Sequence, residues 1–188
     1  MGERMIVGIS GASGAMYGIR ALQVLAELNW ETHLVVTRTA VEIIRLETDY
    51  TLDEVQAMAS AVHENEDLTA PIASGSFRTR GMLVAPCSIK SLSAVANSYS
   101  DSLLARAADV TLKERRPLVL MVRETPLHRG HLHLMTLACE AGAIMVPPIP
   151  YFYSRPQTLA EMIDQIIGRA LTQLGIHTTL YSSWEGQR

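Results

Sequence analysis

A chain of 188 residues, 48% of them hydrophobic, can bury a large core and fits a single domain spanning residues 1–188. Charged residues are only 19% of the total and the formal net charge is −3, so the composition offers no basic surface to nucleic acid. No run approaches the ~18 apolar residues of a membrane span, the apolar stretch in MGERMIVGI is too short for a secretory signal, and Ile6 stands where myristoylation needs Ser or Thr; a soluble, cytoplasmic protein is expected.

In chain order, the apolar run Met5–Ile9 comes first, with GISGASGAMYG (Gly8–Gly18) following it and a helical pattern over Ile19–Leu28 after that. A glycine-rich turn between strand and helix points backbone N–H groups at an anion, and the helix dipole adds to the attraction. Its glycines at 8, 11, 14 and 18 spell G-x-x-G-x-x-G, not the G-x-G-x-x-G of dinucleotide sites, and no Gly-Lys-Ser or Gly-Lys-Thr occurs. The stretch asks for a phosphate, unless its glycines only bring a helix close to a strand. THLVVT (Thr32–Thr37), GMLVAPC (Gly81–Cys87), PLVLMV (Pro117–Val122) and AIMVPP (Ala143–Pro148) read as further strands, apolar on both faces, which implies a parallel sheet covered by helices. Helical patterns lie between them at Val41–Leu46, Ser88–Ala96, Ser102–Glu114 and His131–Ala141, and Thr51-Leu-Asp-Glu54 and Thr158-Leu-Ala-Glu161 are capping boxes. His63–Thr79 is the least regular region and reads as a functional loop leading into ASGSF. Cys87 and Cys139 lie in apolar surroundings without metal spacing, which suits buried thiols in a reducing cytosol. The alternation predicts an α/β fold: one doubly wound, Rossmann- or flavodoxin-like, mostly parallel sheet with helices on both faces and ligands at the carboxyl ends of its strands.

Polar residues gather where those apolar runs end: Ser10 and Ser13, then Thr37 and Arg38, then Ser88, Lys90 and Ser91, then Arg123 and Glu124. Each serine alone could merely cap a helix, but the succession falls on the predicted ligand edge. An NAD site should place Asp or Glu at the end of the second strand, and Thr37-Arg38-Thr39 stands there instead, which favours a monophosphate such as FMN, with NADP still conceivable through Arg38. In RAADVTLKERRPLVLMVRETP (Arg106–Pro126), Arg115 and Arg116 read as charges facing a helix's negative pole. Arg106 and Lys113, seven apart, share a helix face and together could neutralise a phosphate, while Arg123 and Glu124 interrupt the end of an apolar strand and are candidate site residues. PPIPYFYSRP (Pro147–Pro156) sets aromatics in a proline-stiffened segment, either packed loop or site wall. His128, His131 and His133 have no carboxylate or thiol nearby to complete a ligand set, so they read as an exposed helix start and no metal is expected.

GISGASGAMYGIRALQVL, ASGSF, PCSIKSLSAVA, RAADVTLKERRPLVLMVRETPLH and the PP-P-FY segment, in this order and spacing, closely resemble the UbiX-type flavin prenyltransferases over Met5 to about Gly175. That resemblance implies a metal-independent transferase that joins a dimethylallyl group, from dimethylallyl monophosphate, to N5 and C6 of reduced FMN. The product, prenylated FMN, is the cofactor of UbiD-type decarboxylases of aromatic and unsaturated acids. It further implies that Gly11, Ala12, Ser13, Thr37, Ser88, Ile89, Lys90, Ser91 and Arg123 contact FMN, and that Lys113, Tyr153 and Arg169 hold the dimethylallyl phosphate, with Glu47 reaching in from a neighbouring subunit. Ser13, Lys113, Glu124, Arg106 and Trp184 would be the catalytic residues, in a large homo-oligomer, dodecameric in the family, with sites at subunit contacts. Two other readings stay open: an FMN-dependent cysteine-type decarboxylase, whose P-x-M-N-x-x-M-W segment is absent here, and an FMN-binding protein without chemistry of its own.

Overall fold

The computed structural model describes residues 3–181, 183, 184 and 186. Six strands, β1 (Arg4–Ile9), β2 (Glu31–Val36), β3 (Ala61–His63), β4 (Gly81–Cys87), β5 (Leu118–Val122) and β6 (Ile144–Met145), form one sheet in the order β3-β2-β1-β4-β5-β6. Every neighbouring pair is parallel. Along β1, side chains alternate between faces as the pleat requires. Met5, Val7 and Ile9 join one buried cluster while Ile6 joins the other.

Against the first face pack α1 (Ala15–Glu27), α2 (Arg38–Glu47), α3 (Leu52–Ala57) and α7 (Leu159–Gln173), through residues such as Leu22, Ile44, Val55 and Ile167. The second face takes α4 (Ile89–Ala96), α5 (Leu103–Lys113) and α6 (Arg129–Glu140), through Leu92, Leu104 and Ala138. Both faces of a parallel sheet are thus covered, which is the doubly wound α/β fold the sequence predicts. α1 lies close on the sheet because Gly18 has no side chain: a Cβ there would run into the carbonyl oxygen of Ala85 and the side chain of Ile9.

Several elements differ from the sequence reading in extent. β3 is an addition, a three-residue edge strand held only by β2, too short for a periodic signal. The AIMVPP run gives only two strand residues before its prolines, which lack the N–H that a ladder needs. α1 starts at Ala15, four residues earlier than its apolar pattern suggests, because Gly14, at φ 101°, caps it. Of the two capping boxes, Thr51 and Glu54 form the complete reciprocal pair. At α7, Thr158 accepts from Glu161 N at 3.1 Å, but the Glu161 carboxylate takes the N–H of Gln157, not that of Thr158. Cys87 is buried as expected, and burial pushes its thiol up to about 12. Cys139 is exposed instead, because α6 turns only Ala138 fully inward at that end.

Candidate functional site

The strand order reverses between β1 and β4, and the loops that leave their carboxyl ends part there to make a crevice. Buried Ser10 ties the two loops: its hydroxyl donates to Pro86 O at 2.9 Å and accepts from Ser88 N at 2.7 Å. Above this stitch opens a cavity of about 690 Å³, within the range of small-molecule and cofactor sites. Gly11, Ala12 and Ser13 come from the first loop, Thr37, Arg38 and Thr39 from the start of α2, Ser88, Ile89, Lys90 and Ser91 from the start of α4, and Arg123 and Glu124 from the end of β5. Every residue that the sequence assigned to FMN therefore lines this one cavity, and Glu124 stands with them. Arg123 and Glu124 are exposed just past the strand, so their charges meet the cavity and are not buried in the core.

The electrostatics of the glycine-rich loop differ from a bare phosphate cradle. Glu47, at the far end of α2, turns back onto the first turn of α1 in its own chain: its Oε2 accepts Gly14 N at 2.7 Å and Ala15 N at 3.4 Å. Burial alone would raise the Glu47 carboxyl; the Ser13 hydroxyl, those two N–H groups and the charge of Arg123 outweigh it and hold the carboxyl below its ordinary range. An internal carboxylate thus already occupies the positive end of the α1 dipole. The other polar groups of the cavity wall that suit an anion are Thr37, whose side chain makes no cap bond at α2, and the cationic side chains of Arg38, Lys90 and Arg123. Ser88, by contrast, caps α4, accepting Ser91 N at 3.2 Å.

The residues expected to hold dimethylallyl phosphate gather elsewhere, in two places. Tyr153, Arg169 and Trp184 come together around Tyr181: the Tyr153 and Trp184 rings lie 5.8 Å apart edge to face, and the Arg169 guanidinium stands 5.6 Å over the Tyr181 ring. Burial and the neighbouring Tyr181 raise the Tyr153 hydroxyl above its ordinary value. Arg106 and Lys113 lie on α5 facing the ASGSF segment; Arg106 donates to Ala73 O at 3.2 Å and pairs with Asp109 at 3.0 Å, and Lys113 pairs with Glu114. α5 begins at the cavity, where Ser102, Leu104 and Ala105 line the wall, and runs back along the sheet. At 1.5 Å per residue, Lys113 is then ~16 Å from the cavity end of its own helix. One chain does not bring Lys113, Tyr153 and Arg169 to the cavity that its own loops form.

Some lining residues escaped the sequence reading. Asn65 and Glu66 reach the cavity from the irregular stretch after β3, and Asn65 also holds the start of α5, its O accepting Leu103 N at 2.7 Å and its Oδ1 accepting Leu104 N at 3.2 Å. The only signal was the irregularity of His63–Thr79. Arg116 does not face a helix pole: it donates to Phe77 O at 2.9 Å and to Gly75 O at 2.8 Å, past the end of α5. His128 caps α6 and accepts Gly130 N at 3.0 Å, the exposed helix start expected. Among the described residues, no three His, Cys, Asp or Glu side chains are grouped so as to hold a metal ion.

Residues 1–164 match the family described as Flavoprotein. The chain is 57% identical over 187 residues to the flavin prenyltransferase UbiX of Escherichia coli K12, covering 98% of this chain and 99% of that one. Among solved structures it resembles AnUbiX (PadA1) in complex with FMN and dimethylallyl pyrophosphate, with a TM-score of 0.98, 45% identity and full coverage of both chains. It also resembles a dodecameric FMN-dependent UbiX-like decarboxylase from Escherichia coli O157:H7, with a TM-score of 0.95 and 45% identity over 97% of this chain and 100% of that one.

Proposed function

The chain belongs to the UbiX-type flavin prenyltransferases, within the Flavoprotein family, and from that premise we propose that it joins a dimethylallyl group from dimethylallyl monophosphate to reduced FMN. Bound FMN would supply the nucleophilic N5 and C6 that become alkylated, and the prenylated product would serve a UbiD-type decarboxylase. The observation that carries the reading is the single cavity at the strand switch point, lined by all of Gly11, Ala12, Ser13, Thr37, Ser88, Ile89, Lys90, Ser91 and Arg123. These residues fit a monophosphate flavin nucleotide: small side chains let the backbone approach, cations stand near, and no carboxylate ends β2.

Ser13, at the cavity wall, then forms a proton-accepting pair with Glu47, to which its hydroxyl is hydrogen-bonded. Glu47 stays ionised at neutral pH, for the reasons given above, and takes the Ser13 hydroxyl hydrogen as its partner. A proton released at the flavin edge can pass through Ser13 to Glu47. Departure of phosphate needs positive charge where negative charge grows, which Lys113 and Arg169 supply with Arg106 in support, while Glu124 assists at the flavin and the departing phosphate. The aromatic faces of Tyr153 and Trp184 suit a carbocation-like dimethylallyl group.

Lys113, Tyr153 and Arg169 stand away from the cavity of their own chain, so in this reading neighbouring copies deliver them, in a homo-oligomer like the dodecameric relative. One sheet covered on both faces supports a single flavoprotein domain. Free thiols at Cys87 and Cys139 support a cytoplasmic enzyme.

Mass spectrometry of the flavin after incubation of FMN-loaded protein with dimethylallyl monophosphate and a reductant tests the proposal: the flavin gains one five-carbon unit. An unchanged mass leaves only an FMN-binding protein. Lys113→Ala and Arg169→Ala retain FMN and lose turnover; parental rates in either variant would remove that residue from the phosphate site.

A further inference from the structure

The ASGSF segment, Ala73–Phe77, has little structure beyond the 3-10 turn Pro71–Ala73, yet arginines hold its backbone at several points. Arg106 takes Ala73 O, and Arg116 takes Gly75 O at 2.8 Å and Phe77 O at 2.9 Å and reaches Thr79 Oγ1 at 3.4 Å. The Phe77 ring is fixed in turn, with the Arg4 guanidinium 4.7 Å over its face and the His33 ring edge-on at 5.0 Å. Phe77 N closes the turn on Ser74 O at 3.2 Å.

A segment held this firmly leaves no slack at Gly75, which lies against the end of α5. A Cβ on Gly75 would collide with the Glu114 carboxylate and stand 2.7 Å from Lys113 Nζ. The Gly75 backbone is therefore the wall against which the Lys113 ammonium rests, with Glu114 as its ion partner. Arg116 acts on this arrangement from two sides, through the carbonyls it binds and through its charge, which Glu114 feels. A guanidinium fork can hold two carbonyls at a fixed spacing, which an ammonium cannot.

We propose that Arg116 is a positioning residue for the phosphate-bearing substrate: it fixes residues 73–79 so that Gly75 sets the Lys113 ammonium where phosphate is met. This rests on the phosphate-site reading of Lys113 given above. Nothing in the role requires contact between Arg116 and the substrate.

The test measures, by calorimetry, the affinity of oxidised, FMN-loaded protein for dimethylallyl monophosphate, so that no turnover intervenes. Arg116→Gln should weaken that affinity about tenfold, the scale of losing hydrogen bonds from a charged group, with FMN affinity and melting temperature close to parental. Donor KM rises in parallel, amide exchange quickens across residues 74–79 but not in β4, and Arg116→Lys, which can reach one carbonyl, recovers part of the loss. Should Arg116→Gln fail to fold, Gly75→Ala displaces Lys113 with Arg116 intact, and the same donor-specific loss is expected. Parental donor affinity in either folded variant, or an equal loss of FMN affinity, overturns the proposal. A parent that binds the donor but leaves the flavin mass unchanged refutes prenyl transfer, while the affinity ratio still decides the role of Arg116.

Discussion

Replacing Glu47 by Gln keeps the size of the side chain and removes its charge from the first turn of α1. The carboxylate accepts two backbone N–H groups, Gly14 at 2.7 Å and Ala15 at 3.4 Å, and the Ser13 hydroxyl, with Arg123 near. A carboxylate at a helix N-terminus contributes roughly 0.3–1 kcal/mol, and charge-assisted bonds add to it, but Glu47 is exposed and water screens part of the gain. About 1 kcal/mol is the expected net loss, a fall of ~2–4 °C in Tm for a domain of this size. Because folding depresses the Glu47 carboxyl, its charge stabilises the fold above the ordinary carboxylate range, and the stabilisation fades as pH falls through the lower folded value. Thermal unfolding of FMN-free parent and Glu47→Gln should therefore show the full gap at pH 7, and the gap should narrow as pH falls below the ordinary carboxylate range. Equal stability at neutral pH, or a gap that widens on acidification, would refute the placement of Glu47 on α1.

Two further outcomes follow from contacts within the chain. Ser10→Ala leaves half-buried Ser88 N without its hydroxyl partner while Pro86 O keeps Ser10 N, a cost of ~1 kcal/mol by thermal or denaturant unfolding, and FMN titration should show weaker binding as the loops after β1 and β4 part. Asp164→Ala removes the half-buried ion pair with Arg20, Nε to Oδ1 at 2.6 Å, that ties α7 to α1; denaturant unfolding should fall by about 1 kcal/mol, and no change would make the pair ornamental.

Apolar runs long enough to span a sheet made β1, β2, β4 and β5 legible in the sequence, since buried parallel strands need side chains that water rejects on both faces. β3 was illegible because three residues at a sheet edge carry no period. The loops at the strand ends were legible for the same reason as the strands: polar residues are conspicuous where an apolar run stops. The start of α1 was not, because its cap, Gly14, has no side chain and the carboxylate that takes the Gly14 N–H, Glu47, lies 33 residues away, and no local pattern reports a partner so distant.

By itself the sequence determined the α/β alternation, the glycine-rich turn, the missing acidic residue after β2 and the family, all of which depend on residue order along short stretches. Tertiary structure alone decided that the residues expected at the flavin, from four separate loops, share one cavity, and that Lys113 and Arg169 do not line it within a chain. It also turned Arg116 from a helix-end charge into the clasp of the ASGSF segment. Those facts depend on which way each helix runs back across the sheet. That direction is fixed by burying apolar faces together, which brings together residues that the order of the chain keeps apart.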